Sequence, residues 1–245
     1  MKGIRMESTL LFQDNHAPFH DKKTHDLLLG FIEEEKPDRI VIPGDFLDCY
    51  KISRFNKDPN RKLTLQDEID CAYFLLKEIR AAAGDGCKIT YLEGNHEKRL
   101  QKYLWSTAPE LASLECLTID GLLWLDHLDI KYAESIELGK FHVYHGSLVR
   151  QEAGYTAKAE FVKNGCSGLS GHTHRDAKYT RRNRGGHHVW YENFCMCDLD
   201  AEYIEGIANW TQGWSMMYDI NGRQYINQIP VINHRYIWKG EEVKS

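Results

Sequence analysis

No run of about 18 apolar residues occurs in this sequence, so no segment reads as a membrane-spanning helix. The N-terminal stretch MKGIRMESTLLFQDNH has no apolar core of signal-peptide length, and the expected location is the cytoplasm. Positive charge is not in excess: 31 Lys and Arg stand against 36 Asp and Glu, for a net charge of −5. No global field therefore draws the protein onto nucleic acid, although a local basic patch stays open. No CxxC pair occurs among the seven cysteines, and an odd count of this kind reads as free thiols in a reducing compartment. The one close pair, Cys195 and Cys197, fits alternate residues on one face of a strand better than a metal clip. Repeats, low-complexity tracts and linkers are also missing, which leaves one domain over 1–245.

What is present is an alternation of strand and helix patterns. The β-rich runs at 8–14, 38–45 and 88–96 each end in polar residues. Between them, 24–35 and 64–84 carry apolar residues at helical spacing, Ile69, Tyr73, Leu76 and Ile79 in the second case. Strand–helix–strand alternation predicts βαβ units and a parallel sheet, with ligands at the C-terminal strand ends. Beyond Leu125 the texture turns mostly to short strands, with a helix at 154–165 and a hairpin signal in DINGRQ. The fold class is α/β passing into α+β.

The polar strand ends are DNH (Asp14 to His16), GDFLD (Gly44 to Asp48), GNHE (Gly94 to Glu97), YHG around His145, and GHTH (Gly171 to His174). Each alone reads as a solvated turn or an N-cap. All five in this order, each at a strand end, are very hard to obtain by chance. Carboxylate oxygen, imidazole nitrogen and amide oxygen together suit borderline-hard divalent metals. No cysteine joins the set, which argues against a structural zinc cluster. Two metals about 3.5–4 Å apart clamp the attacking and leaving oxygens of a phosphoryl group. Such a pair needs a bridging carboxylate, for which Asp45 is placed. The glycines before Asp45, Asn95 and His172 permit sharp turns.

The set resembles the calcineurin-like metallophosphoesterases, whose pattern is D-x-H, GDxxD, GNH(E/D), a later His and GHxH. The resemblance implies two mixed β-sheets packed face to face with helices outside. It implies a first metal held by Asp14, His16, Asp45 and His174, and a second held by Asp45, Asn95, His145 and His172. It makes His96 the proton donor to the leaving oxygen and Asp48 the residue that orients it. The resemblance further implies that the ions held by these residues would lower the pKa of bound water, so that a nucleophile would be available near neutral pH. Manganese is the first choice of metal, with iron, zinc, magnesium and nickel as alternatives. Where the family's protein phosphatases continue GDxxD with Arg-Gly, this chain has Cys49 and Tyr50. That departure favours phosphodiesterase and nuclease-type members. The longer stretches GDFLDCYKISRFNKDPNRKLTLQDEID, YLEGNHEKRLQKYLWSTAPELASL and NWTQGW are similar to metallophosphoesterases of bacteriophage and prophage genomes.

The expected partner is a phosphate-ester substrate, a phosphodiester first, with nucleic acid or a nucleotide as the class. Two alternatives remain: a phosphomonoesterase on metabolites or phosphoproteins, and a metal-holding nucleic-acid binder without turnover. Arg99 and Arg175 are the candidate substrate contacts, and the basic run through Arg184 reads equally as a cationic rim or a solvated face. Tyr50, Phe55 and Trp105 read as core before they read as stacking platforms, and so do the tryptophans of NWTQGW. His20, His25, His127, His142 and His234 read as structural, while of His187 and His188, which alternate along a strand, at most one faces the site. Oligomeric state is not legible.

Overall fold

The computed structural model describes residues 6–200 and 208–245. Strands β1 (Met6–Leu11), β2 (Arg39–Ile42) and β3 (Lys88–Leu92) pair in parallel, with Leu11 opposite Val41 and Ile42 opposite Tyr91. Each is shorter than its sequence pattern, because the polar residues at its end turn out of the ladder toward the site. Helix α1 (Lys22–Glu35) starts where Asp21 accepts a hydrogen bond from the Thr24 amide, and it stops at Lys36, whose φ is 46°. Helix α2 (Leu65–Ala83) opens with a capping box between Thr64 and Asp67. Both lay an apolar face on the sheet: Leu28, Phe31 and Ile32 from α1, and Ala72, Leu76 and Ile79 from α2.

Helix α3 (Lys98–Thr107) follows β3 directly, then the single turn α4 (Ile119–Leu122) and β4 (Ile130–Ala133), which pairs in parallel with β3. Next come β5 (Ser135–Leu138), β6 (Phe141–Tyr144), helix α5 (Tyr155–Asn164), β7 (Ser167–Ser170), β8 (Ala177–Asn183) and β9 (Gly186–Glu192). The chain then returns as β10 (Gln212–Ile220) and β11 (Arg223–Val231), and a small ribbon of β12 (Arg235–Trp238) and β13 (Glu241–Lys244) follows. The DINGRQ signal is the β10–β11 hairpin, with Ile220 opposite Arg223 and both loop residues, Asn221 and Gly222, at positive φ.

One sheet has the order β11-β10-β1-β2-β3-β4 and the other β5-β6-β7-β9-β8. Each mixes parallel and antiparallel neighbours. They pack face to face through Leu11, Val41, Leu92 and Met217 on one side and Leu138, Phe141, Val143 and Leu169 on the other. Each fully buried aliphatic or aromatic side chain in that layer contributes roughly 1.5–3 kcal/mol. Helices α1, α2 and α3 cover the outer face of the six-stranded sheet, and α5 covers the other through Phe161 and Trp190. The architecture is the expected sandwich. No helix of the described residues is long and apolar enough to cross a membrane.

One reading changes, and one left even is placed. Cys195 and Cys197 lie on no strand; each makes an isolated bridge, to Gln212 and to His20. The basic run beyond Arg175 is β8, the exposed edge of the second sheet, where charge blocks further strand pairing.

Candidate metal centre

The polar ends of β1, β2, β3, β6 and β7 meet at one place. Five of the seven expected ligands sit at positive φ: Asp14 (55°), His16 (49°), Asp45 (48°), His172 (70°) and His174 (58°). Each such residue costs on the order of 1 kcal/mol or more, a strain that persists only where the surroundings over-determine it. Three glycines make the convergence possible, for two reasons. Gly44, at φ 88°, supplies a turn of the expected kind. At Gly94 and Gly171 close approach is the reason: a Cβ would lie 2.2 Å from Asp45 Oδ1 or 2.5 Å from Asp14 Oδ2.

Two groups of ligand atoms form. Asp14, His16 and His174 make one, Asp45, His145 and His172 the other, and a third set of His16, Asp45 and His96 links them. The hydrogen bonds at the back of each ring set its tautomer. His145 Nδ1 lies 2.8 Å from the Pro43 carbonyl, which only accepts, so Nδ1 carries the hydrogen. Its Nε2 then faces Asp45 Oδ2 at 3.1 Å, Asn95 Oδ1 at 3.0 Å and His172 Nδ1 at 3.3 Å, so a proton or a metal ion is held at the same place. His16 repeats this: Nδ1 is 3.2 Å from Asp48 Oδ1, and Nε2 is 3.1 Å from Nε2 of His174. Asp14 Oδ1 lies 3.4 Å from His174 Nε2 and is buried without a hydrogen-bond partner. Acceptors crowded this closely repel unless cations lie among them, so the residues fit a pair of divalent metals.

The same carboxylates favour any cation at these nitrogens, a proton as well as a metal ion. Burial opposes charge on His145, but Asp45 and Asp14 outweigh it and raise the imidazole to about 10. Burial also opposes charge on His174 and His96, and Asp14 in the one case and Asp45 with Asp48 in the other outweigh it, so both are raised. His16 and His172 are lowered, by burial first and then by the neighbouring imidazoles His96 and His145. Asp45 would be raised by burial, yet His145 and His96 hold it well below the usual carboxylate range.

His96 stands at the front of the cluster. Its Nδ1 meets the Asp48 backbone carbonyl at 2.9 Å and the Asp48 carboxylate at 3.0 Å, and its Nε2 lies 3.7 Å from Asp45 Oδ2. Asp48 therefore contacts both His96 and His16. Arg99 is beside them, donating to the Asp48 carbonyl at 2.7 Å and to His96 Nε2 at 2.8 Å. Arg175 is not brought into the cluster; its guanidinium donates to the carbonyls of Arg150 and Gln151.

Several residues that sequence reasoning missed support the site. Glu97, fully buried, accepts from the amides of Asp45, Leu47 and Gly94 and from the Tyr91 hydroxyl, at 2.6 to 3.0 Å. It ties the β2 and β3 ends together, a role that the last letter of GNHE left unsignalled. Cys197 Sγ is 3.7 Å from His174 Nδ1, and Cys195 completes a buried group around that imidazole. Trp210 packs its ring 4.3 Å from His174, whereas Trp214 lies in the core as expected. Phe55 and Trp105 are each 61% exposed, so they are not core. The outlying histidines do pair structurally, His25 with Glu78, His142 with Glu137 and His234 with Asp21.

No family model matches the chain. The Gene 54 protein of Mycobacterium phage L5 is 27% identical over 246 residues, covering 93% of this chain and 94% of its own length. Among solved structures, Vps29 of Chaetomium thermophilum superposes with a TM-score of 0.51 at 11% identity, covering 97% of each chain. A Vps29 single mutant of Entamoeba histolytica gives 0.50 at 13% identity, covering 96% of this chain and 98% of its own. At these identities the structural likeness speaks for the fold alone. In its sandwich fold and its five strand-end motifs, this chain resembles the calcineurin-like metallophosphoesterases, and it is similar over most of its length to a mycobacteriophage protein.

Proposed function

We propose that this protein is a dinuclear-metal phosphoesterase, one metallophosphoesterase domain over 1–245, that hydrolyses a phosphodiester. The observation that supports the reading most is the convergence of Asp45, Asn95 and His172 on His145 Nε2, and of His16 and His174 on one another beside Asp14, two buried clusters of ligand atoms that each have room for a cation. Asp14, His16, Asp45 and His174 would hold the first ion, and Asp45, Asn95, His145 and His172 the second. Bound ions of this kind activate water as a nucleophile and offset charge on the phosphoryl oxygens. All these ligand atoms are oxygen or nitrogen, a set that suits borderline-hard divalent metals, with manganese as the first choice and iron, zinc, magnesium or nickel as alternatives.

The chain's own groups do the rest. His96, with Nδ1 held by Asp48 and Nε2 between Arg99 and Asp45, would carry on Nε2 the proton that goes to the leaving oxygen. Arg99 faces a non-bridging oxygen, and Arg175 belongs to the surrounding rim. Cys49 and Tyr50 stand where phosphoprotein phosphatases carry Arg-Gly, so the phosphate-clamping arginine of those enzymes is missing there. This supports a diester over a phosphoprotein.

The test is hydrolysis of bis-p-nitrophenyl phosphate beside p-nitrophenyl phosphate by Mn²⁺-reconstituted protein. The diester should turn over faster. His96→Ala should keep both metals while turnover falls by about 10²–10⁴-fold. Faster monoester turnover would redirect the search to nucleotide monophosphates and sugar phosphates. Loss of metal in His96→Ala would make that residue a ligand instead.

A further inference from the structure

A cleft of about 440 Å³ opens beside His96 and is lined by Arg54, Phe55, Asn95, Arg99, Lys102 and Tyr103. Its size falls in the ordinary range of ligand sites, about 300–1,000 Å³. Three of these residues are cations, and no acidic side chain is among its lining residues, in a chain whose net charge is −5. Two aromatic rings stand out into solvent, Phe55 at 61% and Tyr103 at 42% exposure. Other rings of the chain are exposed as well, but these two flank a cleft that gathers three cations, a pairing of ring faces and positive charge that suits a base and its phosphates. The Arg99 guanidinium lies 5.8 Å from the Phe55 ring centre and also touches His96, so the cleft is continuous with the reacting end of the site. Asn95 borders both the cleft and the ligand cluster.

We infer that this cleft binds single-stranded nucleic acid, seating the nucleotide on the leaving-group side of the scissile phosphate with its base against Phe55. The inference rests on the phosphodiesterase reading for its polarity: His96 protonates the leaving oxygen, and the cleft lies on the His96 side. Positive side chains meet the next phosphates, which carry no sequence information, and a ring face stacks on any base. Stacking on Phe55 requires a base whose face is free, and in a duplex both faces are already covered. The substrate is therefore an unpaired strand. A phosphomonoester of a small metabolite would leave Phe55, Tyr103 and Lys102 with nothing to contact.

The test is fluorescence anisotropy of labelled dT8 and rU8 with the protein in chelator, which separates binding from turnover. Wild type should bind both, and the same oligonucleotide annealed to its complement should bind at least about ten-fold more weakly, since stacking on the ring is lost. Phe55→Ala should weaken binding about ten-fold. Lys102→Ala should lower the slope of log affinity against log salt by about 0.7, one phosphate contact on a single strand. Both side chains are exposed, so unchanged near-ultraviolet circular dichroism and metal stoichiometry will verify the fold of each variant. Unchanged affinity in Phe55→Ala and Lys102→Ala would overturn the inference. So would loss of affinity in Arg181→Ala/Arg182→Ala on the β8 edge with the cleft variants silent, or duplex binding as tight as single-strand binding. Preference for dT8 or rU8 names the polynucleotide. A wild type that binds oligonucleotide but does not turn over bis-p-nitrophenyl phosphate would defeat the enzymatic reading while leaving the cleft assignment standing.

Discussion

The strand-end cluster and the β8 edge carry similar densities of polar side chains, yet they are built in opposite ways. At the cluster, candidate ligands from five strand ends converge, Asp14, His16, Asp45, His145 and His174 are buried, and five residues hold a left-handed backbone. Along β8, Lys178, Arg181 and Arg182 come from one short segment, point into solvent and close off a sheet edge. Concentration of charge in the sequence is thus a poor guide to a site. Convergence of distant segments at a cost in strain is a better one, because strain survives only where something offsets it.

The sharpest way to break this comparison is Asp45→Asn. The Asp45 carboxylate meets both His145 and the His96 amide, so the variant should lose both metals and nearly all turnover. Metal analysis together with the diester assay would check it, and full occupancy would remove the bridging role. A smaller effect is expected at Glu97→Gln. An amide nitrogen would then face one of the two pairs of donors that the carboxylate now accepts, costing about 2–3 kcal/mol. The melting temperature should fall, and turnover with it, as the Asp45 loop loosens. The smallest effect is expected at β8, where Arg182→Ala should change unfolding free energy by less than about 0.5 kcal/mol and leave the diester assay unaltered. A large loss there would erase the contrast between the two regions.

Much of this organisation was legible beforehand because it is local. Helix α2 announces itself by a capping box and a repeating apolar face, and the parallel strands by β-branched runs ending in polar turns. Helix α3 was read as a basic segment, since Lys98, Arg99 and Lys102 dominate it and only Leu100 and Leu104 are buried. Strand β7, four residues of Ser167–Ser170, is too short to alternate visibly. Phe55 was read as core because an aromatic ring carries no mark of which side of the chain will be covered.

The order of the five motifs, the types of the ligand atoms and the missing Arg-Gly after Asp48 were determined by the sequence alone, because motif chemistry depends on residue identity and short spacing. Only the tertiary structure decided that Glu97 clamps two strand ends, that Cys197 and Trp210 back His174, that Gly94 and Gly171 are needed for approach rather than for turning, and that a cationic cleft with a bare aromatic ring opens beside His96. Those are relations between segments far apart in the chain, and they come into being only when the two sheets close on one another and bring the strand ends within reach.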